Sequence, residues 1–319
     1  MGVNTKIIKR RIKSVRNTRK ITKAMEMVAA AKMRRAVESA LQTRTYAKLA
    51  WDLLVTLSKT QKTAVPLLEV RPVQRLLIIL VTSNRGLCGS FNSNIIRKIA
   101  EQVQNPANIG RQRAGGKDIL PAEKIEVDVI GVGKKGADFA KKMKYNLIAS
   151  YSHFSDTPTF EDVSGIGREA VKEYETKKYD KIVVAYTDYQ SAIRQTPKLR
   201  QVLPISEHDL EKMISELGEN KMMPEKPKLN VEVMEEYLME PSRTAVLNII
   251  LPRLVQTQIF QAVLESSASE HSSRMLAMRN ASDAATDMIA ELNLNFNKAR
   301  QAGITQEIAE ISGGAAALG

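Results

Sequence analysis

Between Val3 and Val65 the chain contains neither Gly nor Pro. Nothing in that run stops a helix once it has started. At 1.5 Å per residue, roughly 60 residues would extend on the order of 90 Å. No globular core needs a single helix of that length. The same segment concentrates charge. From Lys6 through Lys59 it carries 15 Lys/Arg against Glu26, Glu38 and Asp52, a net +12 of the chain's +13. The segment reads as a rod whose surface meets something acidic.

The other end of the chain mirrors the first. Arg253 to Ala302 also lacks Gly and Pro; Gly303, the run Ile304 to Ser312, and Gly313-Gly314 follow. Met278, Ala281, Ala285, Met288 and Leu292 alternate three and four apart, which is heptad spacing. A matching stripe runs through Ile8, Ile12, Val15, Thr22, Met25, Ala29, Met33, Ala36 and Ala40, with Lys and Arg on its flanks. A lone helix is marginal in water and gains stability mainly by burying an apolar face. Two such stripes at opposite ends of one chain predict that each buries the other, as an antiparallel coiled coil. Alanine at many seam positions lets the helix axes approach closely.

From Pro72 to Met239 the pattern changes. Arg75 to Asn84, Ile125 to Gly133, Asn146 to Ser150 and Lys181 to Asp188 read as strands. Ser93–Val103, Ala137–Lys144 and Val163–Glu175 read as helices between them. This alternation predicts an α/β layer with a largely parallel sheet. Asn105 to Pro121 and Glu207 to Lys228 read as inserted loops. The predicted organisation is a helix over 1–65, an α/β domain over 72–239 and a second long helix over 243–319.

Composition narrows the function classes. Aromatic content is 5%, and the basic segment has only Tyr46 and Trp51, too few to stack nucleic-acid bases along it. The single cysteine, Cys88, leaves no internal disulfide and no cysteine-based zinc site. Leu76 to Val81 is the longest strongly apolar run, far short of the roughly 20 residues of a membrane span. The charged start has no apolar core of a secretory signal. The chain is expected to be soluble and cytosol-facing unless a partner holds it at a membrane.

Gly131, Gly133 and Gly136 form a GxGxxG after a strand and before a helix, the context of a dinucleotide loop. The acidic residue expected about 20 residues on is missing, because the next strand ends Ile148-Ala149-Ser150-Tyr151. A tight strand-to-helix turn explains the glycines. Cys88 follows the first strand, but no CxxC accompanies it, and His153, His208 and His271 do not cluster in sequence. No HExxH, Walker loop or Gly-x-Ser-x-Gly occurs. The sequon Asn280-Ala281-Ser282 lies within a predicted helix. No catalytic, cofactor or metal residue is assigned.

Three stretches carry a resemblance. They are Ile21-Thr22-Lys23-Ala24-Met25-Glu26-Met27-Val28-Ala29-Ala30-Ala31-Lys32-Met33, the loop Ser83-Asn84-Arg85-Gly86-Leu87-Cys88-Gly89, and the run from Asn297 to Ile308 with its tail Ile311 to Leu318. In this order they resemble the γ subunit of F-type ATP synthases. The resemblance implies a coiled-coil shaft on a Rossmann-like α/β foot that binds no dinucleotide. It also implies a central rotor stalk, without a catalytic site of its own, for a proton- or sodium-translocating synthase. The implied partners are the α and β subunits, the ε subunit and the ring of c subunits, with no nucleic acid, and with the membrane only through the ring. By resemblance Lys20, Lys23 and Met25, together with Arg300 and Gln301, meet the β subunits. Tyr237 and Glu240 meet the c ring and ε, and Ala315, Ala316, Ala317 and Leu318 form a tip in an apolar bearing. A peripheral position on the cytoplasmic face of a bacterial plasma membrane follows. The signature starts near Met1, so no organelle presequence is visible. With one cysteine, the dithiol switch of chloroplast-type relatives is not expected in the second insert.

Two other classes compete. A nucleotide-dependent enzyme rests on the glycine loop alone. A basic coiled-coil adaptor for nucleic acid or a membrane surface rests on the charge of the first helix and predicts steeply salt-dependent binding.

Overall fold

A computed structural model of the chain describes residues 5–58, 65–104, 109–114, 117–154, 158–205 and 242–318. The first helix, α1 (Thr5–Ser58), is 54 residues long without a break. The strands and helices that follow are β1 (Arg75–Val81), α2 (Phe91–Gln104), β2 (Gln112–Ala114), β3 (Lys117–Ile119), β4 (Glu126–Val132), α3 (Lys134–Lys142), β5 (Asn146–Tyr151), α4 (Phe160–Glu175), β6 (Lys181–Tyr189) and β7 (Gln195–Leu203). The chain closes with α5 (Arg243–Leu318), 76 residues long. That helix continues through Pro252, whose ring removes one backbone donor near its start.

The chain divides into two compact units, Met1–Ala30 with Arg274–Gly319, and Ala31–Ser273. In the second, a five-stranded sheet has the order β5-β4-β1-β6-β7. β1 pairs in parallel with both β4 (Ile78 opposite Val129) and β6 (Ile78 opposite Val183), and β5 continues the parallel set. β7, which the sequence reading lacks, adds an antiparallel edge. Pro197 sits on that edge strand, where a missing donor costs no ladder bond to a further neighbour. β2 and β3 form a separate two-stranded ribbon within residues 105–121, so part of that insert is a hairpin rather than a loop. The second insert, 207–228, lies outside the described residues.

β1 is buried on both faces, as a central parallel strand must be. Alternate residues point to opposite layers. Leu77, Ile79 and Val81 join Ile182, Val184 and Tyr186 under α4 and the Leu247–Val263 stretch of α5. Leu76, Ile78 and Leu80 join Val129 and Val183 under Ile95 and Ile99 of α2 and Ala140 of α3. The start of α5 is therefore part of the α/β core. Gly167 sets how closely α4 meets α5: a Cβ there would lie 2.6 Å from Gln256 Cγ. Thr159 caps α4 reciprocally with Asp162, whose carboxyl that hydrogen bonding holds below its ordinary pKa.

At the amino ends of the strands, Arg71 gathers the connection from α1. Its Nε donates to Asp180 Oδ1 at 2.8 Å, and a second nitrogen donates to the Tyr174 and Tyr179 carbonyls. Asp180 Oδ2 accepts from the backbone N–H groups of Gln74 and Arg75. The guanidinium stands 4.3 Å from the centre of the Tyr174 ring.

Candidate functional site

In the unit formed by Met1–Ala30 and Arg274–Gly319, the start of α1 lies against the later part of α5. Thr22 meets Ser282, while Ile7, Ile8 and Arg11 line one groove with Leu292, Lys298 and Ala302. Residue numbers rise on one helix as they fall on the other, so the pairing is antiparallel. Ile8, Ile12, Thr22 and Ala29 are buried from α1; Met278, Ser282 and Ala285 are buried from α5. The α5 seam continues through the half-buried Ile289, Leu292, Phe296 and Ala299, again at heptad spacing.

Two of the expected α5 seam positions are displaced. Met288 is 51% exposed and Ala281 only half-buried; Ile289 and Ser282, one residue on, face the partner helix. Apolarity alone favours Ala281 over Ser282. The hydroxyl of Thr22 reverses that preference by satisfying the buried serine at 2.7 Å. Asn280 of the sequon is exposed, but its Ser282 is buried in the seam and both lie within an unbroken helix.

The groups implied for partner contact fall into separate patches. Lys20 and Lys23 are exposed, Lys23 pairing with Glu26 at 2.9 Å, and Met25 is half-buried beside them. They stand level with Ser282. Arg300 and Gln301 are exposed 18 residues further along α5, about 27 Å at helical rise. The two patches are thus not brought together. From Lys6 to Lys23 the exposed face of α1 carries nine Lys/Arg and no acid, the strongest charge density among the described residues. Residues 301–315 of α5 are all exposed, including Ile304, Ile308 and Ile311 along one side. Ala315 belongs to that stretch. Ala316, Ala317 and Leu318 are helical, with side chains outside the description, and Tyr237 and Glu240 lie outside the described residues.

The glycine loop is occupied by the protein itself. The first four N–H groups of α3, the donors a phosphate would need, already have acceptors. Lys134 N–H donates to Asn84 Oδ1 at 3.0 Å, Lys135 to Ser83 O, Gly136 to Thr82 Oγ1 at 2.7 Å, and Ala137 to Gly133 O. Gly133 has φ +94°, and a Cβ there would collide with the Thr82 carbonyl. The glycines serve close packing of β1 against the start of α3. Cys88 is buried, with Asn92 Nδ2 at 3.3 Å from its sulfur.

The carboxyl end of β6, beside the point where strand order reverses, is also covered. Ser269 Oγ of α5 donates to the Thr187 carbonyl and Ser272 Oγ to the Ala192 carbonyl, at 3.0 and 2.7 Å. Open α/β sheets bind ligands at this crevice; here a helix fills it.

A family model described as ATP synthase matches residues 4–318. The ATP synthase gamma chain of Chloroflexus aurantiacus is 39% identical over 315 residues, covering 98% of this chain and 97% of that one. The chain belongs to the ATP synthase gamma chain family. The gamma chain of Roseiflexus castenholzii is 38% identical over 318 residues, covering 99% and 98%. Among solved structures, a chain of the Euglena gracilis mitochondrial ATP synthase, OSCP/F1/c-ring, superposes with TM-score 0.63 at 20% identity, over 98% of this chain and 94% of that one. A chain of the Tetrahymena thermophila mitochondrial ATP synthase, central stalk/c-ring, gives 0.56 at 24% identity, over 82% and 99%. At such identities the likeness concerns the fold alone.

The sequence reading places Asp188 at a strand end and Gln256–Ser272 in a helix, but foresees the burial of neither Asp188 and Glu265 nor that polar stretch. A signal was present. Eight Gln, Glu, Ser and Thr residues between Gln256 and Ser272 are buried on one helix, a polar run that an ordinary apolar packing face does not carry.

Proposed function

We propose that this chain is the central rotor stalk of an F-type ATP synthase, coupling ion-driven rotation to ATP synthesis or hydrolysis at the β subunits. The observation that carries the reading is the antiparallel pairing of α1 and α5 through a seam of Ile, Ala, Thr and Ser, in a chain that spans its gamma-chain relatives end to end. On this reading residues 1–65 and 243–319 supply the shaft and 72–239 the foot, with the Leu247–Val263 stretch of α5 packed into the core of the foot. The shaft forms no bond in the chemical step. It presents a different face to each β subunit in turn and shifts each between open and closed states, which requires contacts of unequal energy in the two states.

The acid-free face from Lys6 to Lys23 suits acidic segments of β, with Lys20, Lys23 and Met25 at its upper end. Arg300 and Gln301 form a second contact with β, and Ala315 to Leu318 the tip that turns in the α/β hexamer. Tyr237 and Glu240 belong to the foot's contact with the c ring and ε. Among the described residues no helix is long and apolar enough to cross a membrane. Attachment to the cytoplasmic face of a bacterial plasma membrane therefore runs through the c ring.

Co-expression with the α and β subunits of the same source tests this. A single large assembly with ATPase activity is expected, and its activity falls when α5 is truncated before Arg300. Association of α with β while this chain elutes alone would overturn the assignment.

A further inference from the structure

The hold of the sheet on α5 changes in kind along the helix. From Leu247 to Val263 it is apolar packing. Further on it is made by hydroxyls. Ser269 Oγ donates to the Thr187 carbonyl at 3.0 Å and Ser272 Oγ to the Ala192 carbonyl at 2.7 Å, and both serines are fully buried. Ser273 Oγ donates to Gln195 Oε1 at 3.1 Å. Gln195 Nε2 lies 2.9 Å from the Ala192 carbonyl and 3.2 Å from Ser272 Oγ. Thr187 stands beyond the last β1–β6 pair, Leu80 with Ala185, and Ala192 lies in the turn between β6 and β7.

That turn is tied to itself as well. Ser191 Oγ accepts from the Ile193 and Arg194 N–H groups, and the Arg194 carbonyl accepts from those of Gln190 and Ser191. The Ala192 acceptor is therefore fixed in place. Burial of apolar area has no direction of its own, whereas a hydrogen bond weakens steeply off line. A hydroxyl about 4 Å from a helix axis travels about 2 Å when the helix turns by about 30°. A turn of that size breaks all three serine bonds.

We propose that Ser269, Ser272 and Ser273, with Gln195, form an angular stop that fixes the rotation of α5 about its own axis on the sheet. Serine suits the task. Its short side chain permits close approach, and within a helix its proton usually goes back to the helix's own carbonyls. Here Ser269 and Ser272 give theirs to β6 and the turn instead. The stop belongs to the chain alone. Its use rests on the rotor reading, in which twisting force passes between the sheet and α5 at these bonds.

Distance distributions between two nitroxide labels on the full chain test the stop. The labels sit on Lys135→Cys of α3 and Arg279→Cys of α5, both exposed positions, while Cys88 is buried. Removing the hydroxyls together, in Ser269→Ala with Ser272→Ala and Ser273→Ala, should widen the distribution by about 2 Å. Gln195→Leu should widen it likewise. The thermal midpoint of the triple variant should move by less than about 3 °C, because alanine is the better helix former. If the triple variant does not fold, Ser272→Ala alone carries the test. Widths equal to that of the otherwise unaltered labelled chain would overturn the proposal. Failure of the chain to assemble with α and β would remove the rotor reading and leave the label result standing.

Discussion

The hydroxyls of Thr22 and Ser282, 260 residues apart in sequence, lie 2.7 Å apart in the buried seam between α1 and α5. Thr22 Oγ1 also lies 3.1 Å from the Arg19 carbonyl, an acceptor that can take only the threonine's proton. Ser282 is then the donor across the seam. A polar pair at one seam position penalises every other register, because a slipped helix would bury both hydroxyls against alanine or isoleucine. Thr22→Val alone strands the serine, and Ser282→Ala alone strands the threonine's acceptor. Each should lower stability by about 1 kcal/mol or more, and the double variant by less than the sum. Urea unfolding of the four proteins measures the coupling.

Gly165 and Gly167 sit two residues apart on α4 in opposite surroundings. A Cβ at Gly167 would lie 2.9 Å from the Gln256 backbone Cα, whereas one at Gly165 meets nothing within 4 Å. Gly167→Ala should destabilise by about 1–3 kcal/mol through forced separation of α4 from α5. Gly165→Ala should stabilise by up to about 1 kcal/mol through helix propensity. Opposite shifts in thermal midpoint are expected.

Arg71→Ala should unfold the α/β layer more easily by about 3 kcal/mol, because Asp180 keeps only its two backbone donors and two carbonyls lose their partner. Arg71→Lys should recover little, since one ammonium cannot reproduce the planar fork that reaches Asp180, Tyr174 and Tyr179 together. Denaturant midpoints distinguish the two variants.

Arg300→Ala and Gln301→Ala remove exposed side chains. The thermal midpoint of the isolated chain should move by less than about 0.5 kcal/mol equivalent. In the assembled ATPase each should reduce turnover about tenfold, equal to about 1.4 kcal/mol. A large stability change in the isolated chain would assign them a structural role instead.

Periodicity and breaker placement made the long helices and the parallel strands legible. β1, with six apolar residues from Leu76 to Val81, could be little else than a strand buried on both faces. β7 escaped because Gln195-Thr-Pro-Lys-Leu-Arg has polar residues on both sides and a proline, which only an edge tolerates. The seam of α5 was legible in period but not in phase, since Ser282 is welcome there only opposite Thr22. The burial of Asp188 was illegible for a like reason: it becomes acceptable through Lys198, which only the pairing of β6 with β7 brings to 3.0 Å. Lys20, Lys23, Arg300 and Gln301 are exposed, and Lys23 pairs with Glu26 on its own helix, which says nothing of an outside partner, so their roles came from resemblance.

The serines of α5 that lie over the end of β6 carry a consequence for control. In many sheets of this kind the mouth at the strand ends is where a cell's metabolites report on its state. Here the chain's own C-terminal helix lies over that mouth, and the first four backbone N–H groups of α3, beside it, already have acceptors. The energy status of the cell would then be sensed by this chain second-hand, through the proteins that grip it.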